Sequence, residues 1–183
     1  MVMLRVSDCT ELSMLIEADA EELVDLDKSW PHTQQIDEYL FGPCTIEGAL
    51  AFIRQGMAMN ENDAGILFGI RVNGSLAGIL QLERKKYGRT VGMDYALAPS
   101  YRGQGIVTES CAATLRFIFE ELDMHRVEMW IDTVNQKSCA IPERLGFSLE
   151  GIHRHLALYG NDWYGDIVVY AQLKDEWLAK GKF

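Results

Sequence analysis

The residues with the sharpest chemical meaning form one run, Tyr101-Arg102-Gly103-Gln104-Gly105-Ile106-Val107-Thr108-Glu109, between a β-like segment and an amphipathic helical one. The first turn of a helix leaves backbone N–H groups without partners, and the aligned peptide dipoles add roughly half a positive charge there. Glycines let a backbone come close to an anion such as a pyrophosphate. Arg102 adds a permanent charge with several donors. Residues 102–107, which are Arg102, Gly103, Gln104, Gly105, Ile106 and Val107, thus read as a diphosphate cradle. The competing reading is a tight turn that only caps a helix, and a bare Gly-x-Gly does not decide between them. Two other nucleotide motifs fail. A P-loop needs Gly-Lys followed by Ser or Thr, and a dinucleotide fingerprint needs a third glycine where Thr108 stands.

A second group of polar residues follows at 135–143. Asn135 has the character of a helix N-cap, which puts Ser138 at the third helical position. Pro142 has no N–H, so the carbonyl of Ser138, four residues back, loses its helical partner. That carbonyl is then either free toward a ligand or a water, or part of a tolerated kink in a short helix. Cys139 lies beside Ser138, but no positioned histidine can be argued for it, so covalent catalysis is not expected. His153 and His155 share a strand face under simple alternation and have no third ligand at metal spacing. No metal site is expected.

These groups need elements to hold them. Residues 2–6 and 12–16 read as strands around a turn, and 18–28 as an acidic helix with Ala20, Leu23, Val24 and Asp27 inward. Residues 29–43 are irregular and aromatic (Trp30, Tyr39, Phe41), in the manner of a flap or binding loop. A helix over 46–60 has Thr45 as its cap. Strands at 66–72 and 76–83 flank Asn73-Gly74, a two-residue hairpin turn. A strand at 90–97, a helix at 105–122 and a strand at 127–132 form one crossover unit. A helix at 136–145 and strands at 147–158 and 164–173 complete the chain. The fold class is α+β: a mixed, mostly antiparallel sheet flanked by helices, in a single domain over 1–183.

Composition narrows the function classes. The 183 residues carry 17 basic and 27 acidic side chains, a net charge of −10, which argues against a nucleic-acid surface and favours a cationic partner. No apolar run approaches the ~18–20 residues of a membrane span, and Arg5 and Asp8 interrupt any signal core. Cys9, Cys44, Cys111 and Cys139 lack paired spacing and read as reduced thiols of a cytoplasmic protein.

Arg-x-x-Gly-x-Gly/Ala after a strand is the acyl-CoA signature of the GNAT acetyltransferases, and residues 102–107 resemble it, with Val107 where Gly or Ala is usual. Asn135-x-x-Ser138 followed by Glu143-Arg144-Leu145-Gly146-Phe147 is similar to a second block of that family. Its spacing is that of the branch acetylating the N-terminal serine or alanine of ribosomal proteins. Residues 159–162, Asp166, Tyr170 and Asp175-Glu176-Trp177 resemble the same branch's C-terminal hairpin.

The resemblance implies acetyl-CoA as co-substrate, lying in a V between the strands at 90–97 and 127–132. Backbone groups of Tyr95 and Leu97 would pair with its pantetheine arm, and Asn135 and Ser138 would border the thioester. An amine would attack directly, and Ser138 would act as general acid to the departing thiolate. In some relatives a glutamate on the penultimate strand acts as base, and Ala157 stands at that position here. His155 and Asp94 are the remaining candidates, and the base is left unassigned. An α-amine, with pKa ~7.7–8.0, needs less help from a base than a lysine near ~10.4. The expected acceptor is therefore a protein N-terminus. A small amine (polyamine, aminoglycoside or amino acid) and a non-catalytic acyl-CoA-binding module are the alternatives. The resemblance also implies a homo-oligomer.

Overall fold

The computed structural model describes residues 2–29, 45–159 and 163–181. The strands are β1 (Met3–Arg5), β2 (Thr10–Met14), β3 (Gly65–Val72), β4 (Ser75–Arg84), β5 (Thr90–Leu97), β6 (Arg126–Asp132), β7 (Ser148–Tyr159) and β8 (Trp163–Leu173). The helices are α1 (Ala20–Lys28), α2 (Ile46–Glu61), α3 (Ile106–Arg116), α4 (Gln136–Arg144) and α5 (Lys174–Ala179). All eight strands join one sheet in the order β1-β2-β3-β4-β5-β6-β8-β7. Among the described residues β5 and β6 are the one neighbouring pair that runs parallel, at the crossover expected from the sequence; the place of β8 between β6 and β7 makes β6–α4–β7 a second crossover, which corrects the expectation of one. The aromatic segment with Trp30, Tyr39, Phe41 and Cys44, and the hairpin tip Gly160-Asn161-Asp162, lie outside the described residues.

Local chemistry explains most boundaries. Asn73 and Gly74 have φ of 51° and 84°, so the β3–β4 hairpin closes through the two left-handed residues such a turn requires. Thr45 caps α2 by accepting the Gly48 N–H at 3.0 Å. Helix α3 starts at the glycine turn and gives way to a wider π-helical turn over Phe117–Glu121, where the Leu122 N–H reaches back five residues to Phe117. The expected α-helix to residue 122 is thus corrected. Phe117, Ile118 and Phe119 are all buried, and three consecutive residues share one side more easily when each step turns the chain less.

Helices cover both faces of the sheet. On one, Cys111, Leu115, Ile118, Leu145 and Trp177 of the α3–α5 side pack on Val91, Met93, Val127 and Met129. On the other, Leu23 and Val24 of α1 with Ala49 and Ile53 of α2 cover Leu67, Ile79 and Ala96. Burying each large aliphatic side chain contributes about 1.5–3 kcal/mol, so these two layers fix the central strands in place.

Two departures from the sequence reading bear on the site. The pairs His153↔Ile167 and Ala157↔Gly165 set four steps of β7 against two of β8, so a bulge lies between them. His155, within it, has φ 53°. Simple alternation therefore fails there, and the expectation that His155 shares a face with His153 does not hold. The closing segment, not expected to be helical, forms α5 and buries Trp177 against Phe119, with ring centroids 5.4 Å apart.

Candidate active site

The parallel pairing of β5 with β6 consists of Thr90↔Arg126, Val91↔Val127 and Gly92↔Glu128. Beyond these, both strands continue, to Leu97 and Asp132, without pairing each other. Each keeps its outer neighbour over that length: β4 pairs β5 as far as Leu97, and β8 pairs β6 as far as Asp132. The result is a rigid fork rather than a frayed edge.

Ladder geometry tells which peptide groups line the fork. The Ala98 N–H bonds to Ala77 on the β4 side, while the Arg89 carbonyl accepts the His125 N–H on the β6 side. Peptide direction alternates along a strand, so the groups of Tyr95 and Leu97 face into the fork. One expectation is corrected here. The Leu97 carbonyl is not open, because Arg102 Nε donates to it at 2.9 Å.

At the end of β5 the chain makes a 3₁₀ turn over Pro99–Tyr101 and enters the glycine turn. Gly103 and Gly105 have φ of 75° and 81°, in the left-handed region that favours glycine. Gly105 is the N-cap of α3 and has no side chain to offer. Among the described residues, the N–H groups of residues 103–108 donate to no protein acceptor. Gln104 is tethered through Nε2 to the Ser100 carbonyl at 3.2 Å. Ile106 and Val107 are buried in the main core, so the valine that replaces a small residue points away from the turn's outer surface. The turn can receive an anion on a row of N–H groups.

Across the fork, Asn135 caps α4 by accepting the Ser138 N–H at 3.2 Å. The Ser138 hydroxyl itself has no protein partner among the described residues. Its carbonyl accepts the Tyr95 hydroxyl at 3.2 Å. The carbonyl opposite Pro142 is therefore satisfied by Tyr95. Burial pushes the Cys139 thiol up, reinforced by Glu143, so that cysteine keeps its proton.

The opposite face of the fork is different. Gly92 and Glu128 share a face, so the next residues on that face are Asp94 of β5 and Trp130 and Asp132 of β6. Asp94 is half-buried, and burial raises its carboxyl pKa, helped by Glu83 and opposed by Lys85. Trp130 donates to Glu128 at 3.1 Å and stacks on His153 with centroids 5.0 Å apart. The Tyr159 hydroxyl donates to the Asp132 carboxylate. His155 is exposed, its backbone N–H held by Asp166 at 2.8 Å. Tyr170, by contrast, is core, with its hydroxyl on Glu143 at 3.0 Å. Sequence reasoning missed Trp130, although its period-2 spacing from Glu128 and Asp132 would have placed it beside the fork.

The family model described as "Acetyltransferase (GNAT) domain" matches residues 11–148. The Bacillus subtilis (strain 168) protein named "Putative ribosomal N-acetyltransferase YdaF" is 32% identical over 182 residues, covering 94% of this chain and 96% of its own. The ribosomal-protein-serine acetyltransferase of Escherichia coli (strain K12) is 25% identical over 183 residues, covering 94% and 97%. A solved structure of RimL, a ribosomal alpha-N-protein acetyltransferase, in complex with coenzyme A superposes with a TM-score of 0.85 at 24% identity, covering 96% of this chain and 99% of that one. With its fold and these matches in agreement, this chain belongs to the GNAT acetyltransferase family.

Proposed function

We propose that this acetyltransferase is a cytoplasmic enzyme that moves the acetyl group of acetyl-CoA to the N-terminal α-amine of a protein. The observation that carries the reading is the fork, bounded by the N–H groups of residues 103–108 at one end and, at the other, by the Ser138 hydroxyl, which is unengaged among the described residues. In this reading Arg102, Gly103, Gln104, Gly105, Ile106 and Val107 hold the pyrophosphate. The Tyr95 peptide groups and the Leu97 N–H face the pantetheine arm, and an N–H there polarises the thioester carbonyl. The amine enters from the face of Asp94 and Trp130 and attacks directly. The carbon–sulfur bond then breaks, Ser138 hands its proton to the thiolate, and the proton shed by the attacking nitrogen passes through solvent to restore the Ser138 hydroxyl.

The acceptor class rests on two supports. Of the relatives named above, one bears the name "Putative ribosomal N-acetyltransferase" and one the name "Ribosomal-protein-serine acetyltransferase". Position 157 is alanine, so a strong base on β7 is absent there, which suits an α-amine better than a lysine. The chain is further proposed to self-associate through β7, whose side chains are largely exposed.

The test is release of free CoA thiol from acetyl-CoA across peptides with free Ser or Ala N-termini, N-blocked lysine peptides, polyamines and aminoglycosides. Turnover on free N-termini alone supports the proposal, while preference for small amines assigns a metabolite or drug acceptor instead. Binding of acetyl-CoA without turnover on any amine points to a binding module. Ser138→Ala should lower kcat by less than the ~10²–10⁴-fold of a typical general acid, because a thiolate near pKa ~8.5 is already a fair leaving group. Unchanged kcat would remove Ser138 from the reaction.

A further inference from the structure

Helix α4 cannot close its regular ladder at Ser138, because Pro142 has no N–H to offer that carbonyl. A carbonyl left unpaired in a half-buried place is costly, and here a side chain from another element supplies the missing donor. Tyr95 comes from β5, past Gly92, where the last pair with β6 is made. Helix α4 is attached to the other arm, since it follows β6 through residues 133–135. The Tyr95–Ser138 hydrogen bond at 3.2 Å therefore spans the open part of the fork, joining one arm to the element rooted on the other. The Tyr95 ring packs against the main core, which fixes the origin of the hydroxyl. Burial pushes the phenol well above its ordinary range, so it stays a donor.

We infer that Tyr95 is a positioning residue: its hydroxyl takes the carbonyl that Pro142 leaves open and acts as a strut, holding the first turn of α4 and the Ser138 hydroxyl at a set distance from β5. The strut exists whatever the reaction is, whereas its effect on turnover rests on the acetyl-transfer reading. Tyrosine and proline are complementary here. The proline exposes an acceptor that an ordinary helix would consume, and the tyrosine uses it to gauge the width of the fork. A residue with an N–H at 142 would offer Ser138 a partner within α4 and make the strut redundant.

Three variants of the full chain test this: Tyr95→Phe, Pro142→Ala and the double substitution. Tyr95→Phe removes one oxygen and keeps the ring. It should lower kcat about tenfold, leave the acetyl-CoA KM and the CoA Kd within about twofold, and lower Tm by about 2–4 °C. In the Pro142→Ala background, where the helix supplies its own N–H, the same substitution should cost less than about twofold in kcat and about 1 °C or less in Tm. Equal losses in both backgrounds would overturn the strut. A loss of Tm with kcat unchanged would reduce Tyr95 to a structural contact and overturn its positioning role. If the native chain turns over no amine, the acetyl-transfer reading fails, and coupling or additivity in the melting cycle still decides the strut.

Discussion

Asp94 sits just beyond the root of the fork and pays for its place. Its carboxyl is half-buried, so the fold favours the protonated form, with Glu83 acting in the same direction and Lys85 against it. A carboxyl raised in the folded state contributes its full stability below the unfolded value of ~3.9 and loses it as pH rises through the folded value. Asp94→Asn should therefore melt higher than the native chain at neutral pH, and the gap should close as pH falls toward about 4. Melting curves across that range check the sign; a lower Tm at neutral pH would mean that Asp94 is held by attractions outweighing its burial. Amine turnover should fall in the same variant, since this carboxyl stands on the side from which the acceptor is proposed to enter. At this scale the sequence was informative for local pairs. Asn135 and Ser138 occupy the positions expected of a cap and third helical residue, because capping depends on neighbours three apart. The Arg102 contact with Leu97 was not legible, because it depends on how the 3₁₀ turn folds the guanidinium back on β5.

Elements bring those residues into register, and the glycine turn is the most exacting of them. At Gly105 a Cβ would meet only the Glu109 Oε1, at 3.8 Å, so room is not the constraint. The constraint is φ, at 81°. An alanine held in that region costs about 1–2 kcal/mol, so Gly105→Ala either destabilises the chain or rotates the peptide and re-aims the N–H groups entering α3. The expected outcome is weaker CoA binding by roughly tenfold at nearly unchanged amine KM, measured by titration calorimetry and initial rates. Unaltered CoA affinity would remove this turn from the pyrophosphate site. The turn was legible because glycine spacing and a following amphipathic stripe are sequence patterns. So were the Asn73-Gly74 hairpin and β5, which spans the expected 90–97. The fork itself came only from the family resemblance, since where two strands stop pairing leaves no trace in either strand's own pattern. The β7 bulge and the π-helical turn broke the fixed periods of two and 3.6 on which such reading depends.

At the scale of the whole molecule, the sheet has one end that the described helices leave largely uncovered. Strand β7 is the last in the sheet order, and Leu149, Ile152 and Leu158 on it are 58%, 55% and 48% exposed. Their partners Tyr170, Val168 and Tyr164 place all three on the face that carries α4 and α5. Tyr164 extends the stripe and is itself 50% exposed. A long apolar edge strand is a template for pairing, and closed dimers form most simply when a surface meets its own copy about a two-fold axis. The net charge of −10 opposes random association, so the stripe would have to supply the specific attraction. Light scattering on the native chain should then give twice the chain mass, with Tm rising with protein concentration. Ile152→Asp puts a charge in the centre of the stripe and should return a folded monomer. Because Ile152 is exposed in the single chain, that variant should keep its CoA affinity. A native protein that scatters as one chain at all concentrations, or an Ile152→Asp variant that remains paired, would rule out β7 as the contact.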